Sequence, residues 1–153
     1  MLRKIIKFLL VIMCMICIFS FSADDASEST RKSDDVIVKI SEVVLGEKLT
    51  KTEKKDYIDK FVVLVRKTAH FSIYLLLGFL LLSLLSEYMK VGYLAILLAV
   101  LFSFLYACSD EFHQMFVPGR AGSMIDVLID TSGATTGCCL YYFFHMIRRK
   151  IHG

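Results

Sequence analysis

Four apolar stretches, at residues 5–21, 62–86, 91–112 and 124–147, leave this chain few ways to fold. A hydrocarbon core about 30 Å thick is crossed by about 20 helical residues, and each stretch is near or above that length. Backbone amides find no water inside a bilayer, so such segments must satisfy their hydrogen bonds internally, as helices. The fold class expected is therefore all-α, an integral membrane helical bundle with four transmembrane helices. Composition agrees: 56% of the 153 residues are hydrophobic and only one is proline, against roughly 45–50% apolar residues in soluble domains.

The chain divides into three parts. Residues 1–22 read as a first transmembrane helix or signal anchor, led by Arg3, Lys4 and Lys7. Ser20-Phe21-Ser22 also fits a small-x-small cleavage pattern, which makes a signal sequence the second reading of this segment. Residues 23–60 read as a polar extracytoplasmic loop. Its early part, 23–35, has linker composition. Val36, Ile40, Val43 and Val44 then recur at helical spacing before Gly46, which predicts a short amphipathic helix on the bilayer or against the bundle. Thr50-x-x-Glu53 is a capping box that opens a further helix, and this helix runs into the second span. Residues 61–153 form the membrane domain proper.

Four spans put both termini on one side. Basic residues near the ends of short loops then orient the bundle. Arg3, Lys4 and Lys7 at one terminus and Arg148, Arg149 and Lys150 at the other outweigh Arg120 in the opposite short loop. The chain is thus expected to be a multi-pass protein of the cell membrane with cytoplasmic termini, and the lipid bilayer is its first partner. Arg66 and Lys67 run against this rule and read as functional exceptions, although headgroup anchoring is the plainer role for Lys67. A net charge of +3, with no basic stripe or zinc-finger spacing, excludes nucleic acid as a partner. The five cysteines all lie in apolar runs and suggest no disulfide framework.

With this topology three polar clusters fall at the outer surface. Arg66, His70 and Tyr74 share one face of the second span. Tyr106, Asp110, His113 and Gln114 share a face at the end of the third, with Glu111 beside them. Arg120 follows Pro118-Gly119, and Asp126 and Asp130 open the last span. A charge in hydrocarbon costs about 2.5–3.5 kcal/mol even on lenient insertion scales, so such residues face a protein interior or a wet cavity. Gly133 and Gly137 continue the carboxylate stripe as a small-xxx-small pair, which lets another backbone approach. Taken singly, most of these residues have plain structural readings, such as Asp126 at a helix N-terminus. Together they read as a pocket or as an ion-pair network locking three helices.

Arg66-Lys67-x-x-His70-Phe71, then Ser109-Asp110-Glu111-x-His113-Gln114-x-Phe116-Val117-Pro118-Gly119-Arg120, then Asp126-Val127-x-x-Asp130 and Gly133 resemble the VanZ-like family over roughly residues 60–147. The resemblance implies an integral membrane protein. The founding member of that family is associated with resistance to the glycopeptide teicoplanin, and no settled activity carries over. The spacing from Gly119-Arg120 to Asp126 and Asp130 is also similar to the third motif of membrane lipid-phosphate phosphatases. Those have a histidine where this chain has Asp126, and the departure removes their nucleophile.

Two functions are expected from these residues. The first is an enzyme at the outer leaflet acting on a lipid-linked cell-wall precursor or a phospholipid head group. His70 or His113 would be its general base, Asp110 or Glu111 would orient that base, and Asp126 and Asp130 would complete the catalytic set. Arg66, Tyr74, Gln114 and Arg120 would bind substrate. The second is a non-catalytic membrane protein whose charged cluster binds a head group or locks the helices. A metal site from His70, His113, Glu111 and Asp126 has suitable residue types but no local pairing motif, so no metal ligand or cofactor is assigned.

Overall fold

The computed structural model describes residues 1–23, 26–46 and 48–152. Among the described residues it has five helices and no strand: α1 (Leu2–Ala23), α2 (Ala26–Leu45), α3 (Lys51–Leu85), α4 (Tyr93–Gln114) and α5 (Met124–His152). Three of them, α1, α3 and α4, are long and apolar enough to cross a membrane. In α5 the polar residues of its first half dilute the apolar run.

Sequence chemistry sets the helix ends. Thr50 caps α3 by accepting from the Glu53 amide, while Glu53 Oε2 accepts from the Thr50 amide at 2.8 Å, as the capping box predicts. Gly46 ends α2 with φ +73°, a conformation that costs glycine least. Gly119, at φ +76°, lets the Val117–Arg120 turn close between α4 and α5. The expected linker is instead helical from Ala26 onward, with Asp24 and Asp25 outside the described residues. No proline or glycine interrupts the sequence before Gly46, and the helix gains a partner in α3, against which Ile37 is buried.

Helices α1 and α4 run one way and α3 and α5 the other. At one end, Lys7 Nζ lies 2.6 Å and Arg3 Nη2 2.9 Å from Glu87 Oε1 in the α3–α4 turn. At the same end, the Tyr141 hydroxyl of α5 donates to Ser86 Oγ at 2.9 Å. At the other end, Arg120 donates to the Phe21 carbonyl of α1.

The most extensive contact joins α3 to α5, and missing side chains create it. A methyl group at Gly133 would collide with the Phe71 carbonyl, one at Gly137 with the Leu75 carbonyl, and one at Gly78 with Ala134. In lipid no hydrophobic force pulls helices together, so close backbone packing of this kind must hold them. The core between the helices buries Ile18, Tyr74, Leu77, Leu82, Ala95, Ala99, Val127 and Cys138. The outward faces carry Phe8, Ile16, Leu94, Leu101, Leu105 and Phe143, all exposed. Large apolar side chains on the outward faces suit a lipid-facing bundle.

Candidate functional site

The buried face of α4 explains how acids reach the bundle interior. Ala95, Ala99, Ser103 and Ala107 recur every four residues and are fully buried. The same stripe continues through Asp110, Glu111 and Gln114, whose exposures are only 4–7%. A stripe of small residues thus admits the neighbouring helices closely and ends in carboxylates. On α5 the glycine stripe plays the same part, and Asp130, one turn before Ala134, is completely buried.

These ends meet around a cavity of about 290 Å³, lined by Arg66, Lys67, His70, Glu111, Gln114, Arg120, Asp126 and Asp130 among others. Residues from α3, α4 and α5 therefore converge, as the spacing suggested. Tyr74, one turn beyond His70, is fully buried, with its ring centroid 6.4 Å from that of Tyr106. The Tyr106 hydroxyl donates to the Met15 carbonyl of α1 at 2.8 Å.

Several charges have structural partners. Lys67 Nζ lies 2.7 Å from Asp126 Oδ1. Glu111 Oε2 accepts the Ser123 backbone amide at 2.7 Å, and this ties α4 to the residue before α5. Gln114 donates to Asp110 Oδ2 at 3.3 Å. His70 Nδ1 stands 3.7 Å from Asp130 Oδ1, beyond hydrogen-bond reach. Both oxygens of Asp130, His70 Nδ1 and the Tyr74 hydroxyl are buried with no hydrogen-bond partner among the described residues.

His113 sits apart. Its ring packs against Phe19 of α1 with centroids 4.6 Å apart, and it does not line the cavity. The sequence reading missed two features. Lys67, assigned to headgroup anchoring, faces the cavity and pairs with Asp126; the like-charge excess of Asp126 and Asp130 was the available signal. Ser22, at the end of α1, is fully buried beside Asp110, and nothing in its local sequence marked it.

An apolar groove adjoins the cavity. It is lined by Ile18, Phe21, Val36, Val65 and Ile73, and it shares Arg66, His70 and Arg120 with the polar cavity. Helices α1 and α2 supply its outer wall.

Comparison with curated proteins and with solved structures finds no match. The family model described as VanZ/LLP1 matches residues 7–145, which takes in every residue lining the cavity and most of the chain. With most of α1 and the polar segment inside the matched region as well as the charged motifs, this chain belongs to the VanZ/LLP1 family.

Proposed function

We propose that this chain is a multi-pass protein of the cell envelope that takes up an anionic amphiphile, a lipid-linked or phosphate-bearing envelope lipid, and through it alters susceptibility to teicoplanin-type glycopeptides. One observation carries the reading: the polar cavity and the apolar groove share Arg66, His70 and Arg120. A molecule with a phosphate head and a hydrocarbon tail fits such a pair of adjoining surfaces. Arginine suits the head because its planar fork donates to two oxygens at once. In this reading α5 is the fourth span and the cavity opens on the outer face. The basic residues at both termini, set against Arg120 alone in the α4–α5 loop, support that orientation, and head-group binding accounts for Arg66 and Lys67 at the outer end of the second span.

His70 is the proton acceptor in the catalytic version, since it lies in the cavity wall where a bound head group would sit. The non-catalytic version draws on a different observation: Glu111 and Asp126 are already engaged with Ser123 and Lys67. Incubating the purified protein with polyprenyl and phosphatidyl phosphates separates the two. Binding that Arg66→Gln and Arg120→Gln weaken, with phosphate release lost in His70→Gln, supports the enzyme. Binding without turnover supports the binder. Failure to bind either lipid, or unchanged teicoplanin susceptibility in cells lacking the protein, overturns the proposal.

A further inference from the structure

Beside the cavity three helices place one metal-ligating side chain each. One nitrogen of His70 and one oxygen each of Asp110 and Asp130 lie within 4.8 Å of one another. Two carboxylates drawn this close into a buried site need a compensating positive charge, and Lys67 is already paired with Asp126. A second observation concerns burial and hydrogen bonding rather than distance. Asp130 has zero exposure, and neither of its oxygens has a hydrogen-bond partner among the described residues; the same is true of His70 Nδ1. A buried carboxylate normally accepts several hydrogen bonds. Here its oxygens and the imidazole nitrogen converge on one point instead.

We propose that His70, Asp110 and Asp130 bind one divalent cation, Mn²⁺ or Zn²⁺. The donor set selects the class. Imidazole disfavours Ca²⁺ and Mg²⁺, which prefer all-oxygen shells, while the absence of thiolate among these three ligands disfavours the softer ions. With ligand bonds of about 2.0–2.2 Å, neighbouring ligand atoms stand roughly 3–3.5 Å apart. Side-chain rotations that draw the three donors together by about 1 Å reach that geometry. Gln114, donating to Asp110 Oδ2, fixes the orientation of one ligand, as outer-shell partners of metal sites do. His70 and Asp130 also line the cavity, so the remaining coordination positions open toward Arg66 and Lys67. An anion attracted by those cations arrives within reach of the metal.

The proposal does not depend on the lipid reading: with the cation bound His70 is a ligand and not the proton acceptor, and binding is measured directly. The full chain, purified in detergent and stripped with a chelator, is titrated with Mn²⁺ while the electron paramagnetic resonance of free Mn²⁺ is followed. One Mn²⁺ per chain is expected, displaced by Zn²⁺ and far less readily by Mg²⁺. Asp130→Asn and Asp110→Asn are expected to weaken binding by more than about a hundredfold, beyond the roughly 10–100-fold effect of losing an outer-shell partner. Glu87→Gln, at the opposite end of the bundle, is expected to bind like the parent protein. Should an aspartate variant misfold, His70→Gln, which retains size and polarity, carries the comparison. No binding by the parent protein at millimolar Mn²⁺ or Zn²⁺ overturns the proposal, as does binding that survives His70→Gln unchanged. A chain that binds the cation but no phosphorylated lipid retains this site and loses the function proposed above.

Discussion

Lys67 on α3 and Asp126 on α5 are joined by a 2.7 Å ion pair at the mouth of the cavity. Each side chain is about a third exposed, at 34% and 30%, so solvent screens the attraction. A double-mutant cycle with Lys67→Met and Asp126→Asn is expected to give a coupling of about 0.5–1 kcal/mol in unfolding measurements. The coupling should shrink as salt is raised. A value of zero at low salt means that the pair holds nothing together.

The contact between α3 and α5 tolerates no added atoms at its glycines. Gly137→Ala drives a methyl into the Leu75 carbonyl. Because backbone rather than a flexible side chain must move, the cost should reach about 3 kcal/mol, the upper end for overpacking. Gly92→Ala is the control, with open space around the new methyl and an extended backbone that any residue adopts. Thermal unfolding in one detergent compares them; equal midpoints would contradict the packing described.

The far end of the bundle responds to acid. Glu87 is held below the usual carboxylate range, first by the hydrogen bond from Lys7, with the Lys7 and Arg3 charges adding to it. A lowered folded-state value means that ionised Glu87 stabilises the fold above its unfolded value, near 4.5. That stability is lost as pH falls through the lower, folded value. The parent protein should therefore exceed Glu87→Gln in thermal midpoint at pH 7, and the gap should close below about pH 4.5. A gap that stays constant down to pH 3 assigns the difference to something other than this charge.

Orientation is tested by labelling. In a chain without its native cysteines, a single cysteine at Glu53 is expected to react with an impermeant maleimide added outside intact cells. One at Tyr88, in the α3–α4 turn, should react only after lysis. The opposite pattern inverts the proposed topology, and equal labelling removes it.

Helix boundaries were legible wherever local chemistry decides them. The capping box at Thr50, the stop at Gly46 and the turn at Pro118-Gly119 all act within a few residues. The close approach at Gly133 and Gly137 was legible too, because a stripe of small residues has one main use in an apolar helix. The partner surface was not: Gly78 and the alanine stripe of α4 acquire meaning only when two helices are placed face to face. The same limit applies to the site. A helical wheel groups His113 with Asp110, yet the packing of α1 draws that ring toward Phe19, while Asp110 faces α3 and α5. Residues 26–35 looked like linker because propensity is judged one segment at a time, and α3 supplies the second surface.

Helix α3 has 35 residues, a length of about 52 Å, against a hydrocarbon core of about 30 Å. No glycine or proline interrupts it before Gly78, so the rod is stiff from its exposed tip through Arg66, Lys67 and His70. Its first turns are braced by α2. A displacement at Thr52 or Lys55 would be carried along the same shaft to the cavity wall.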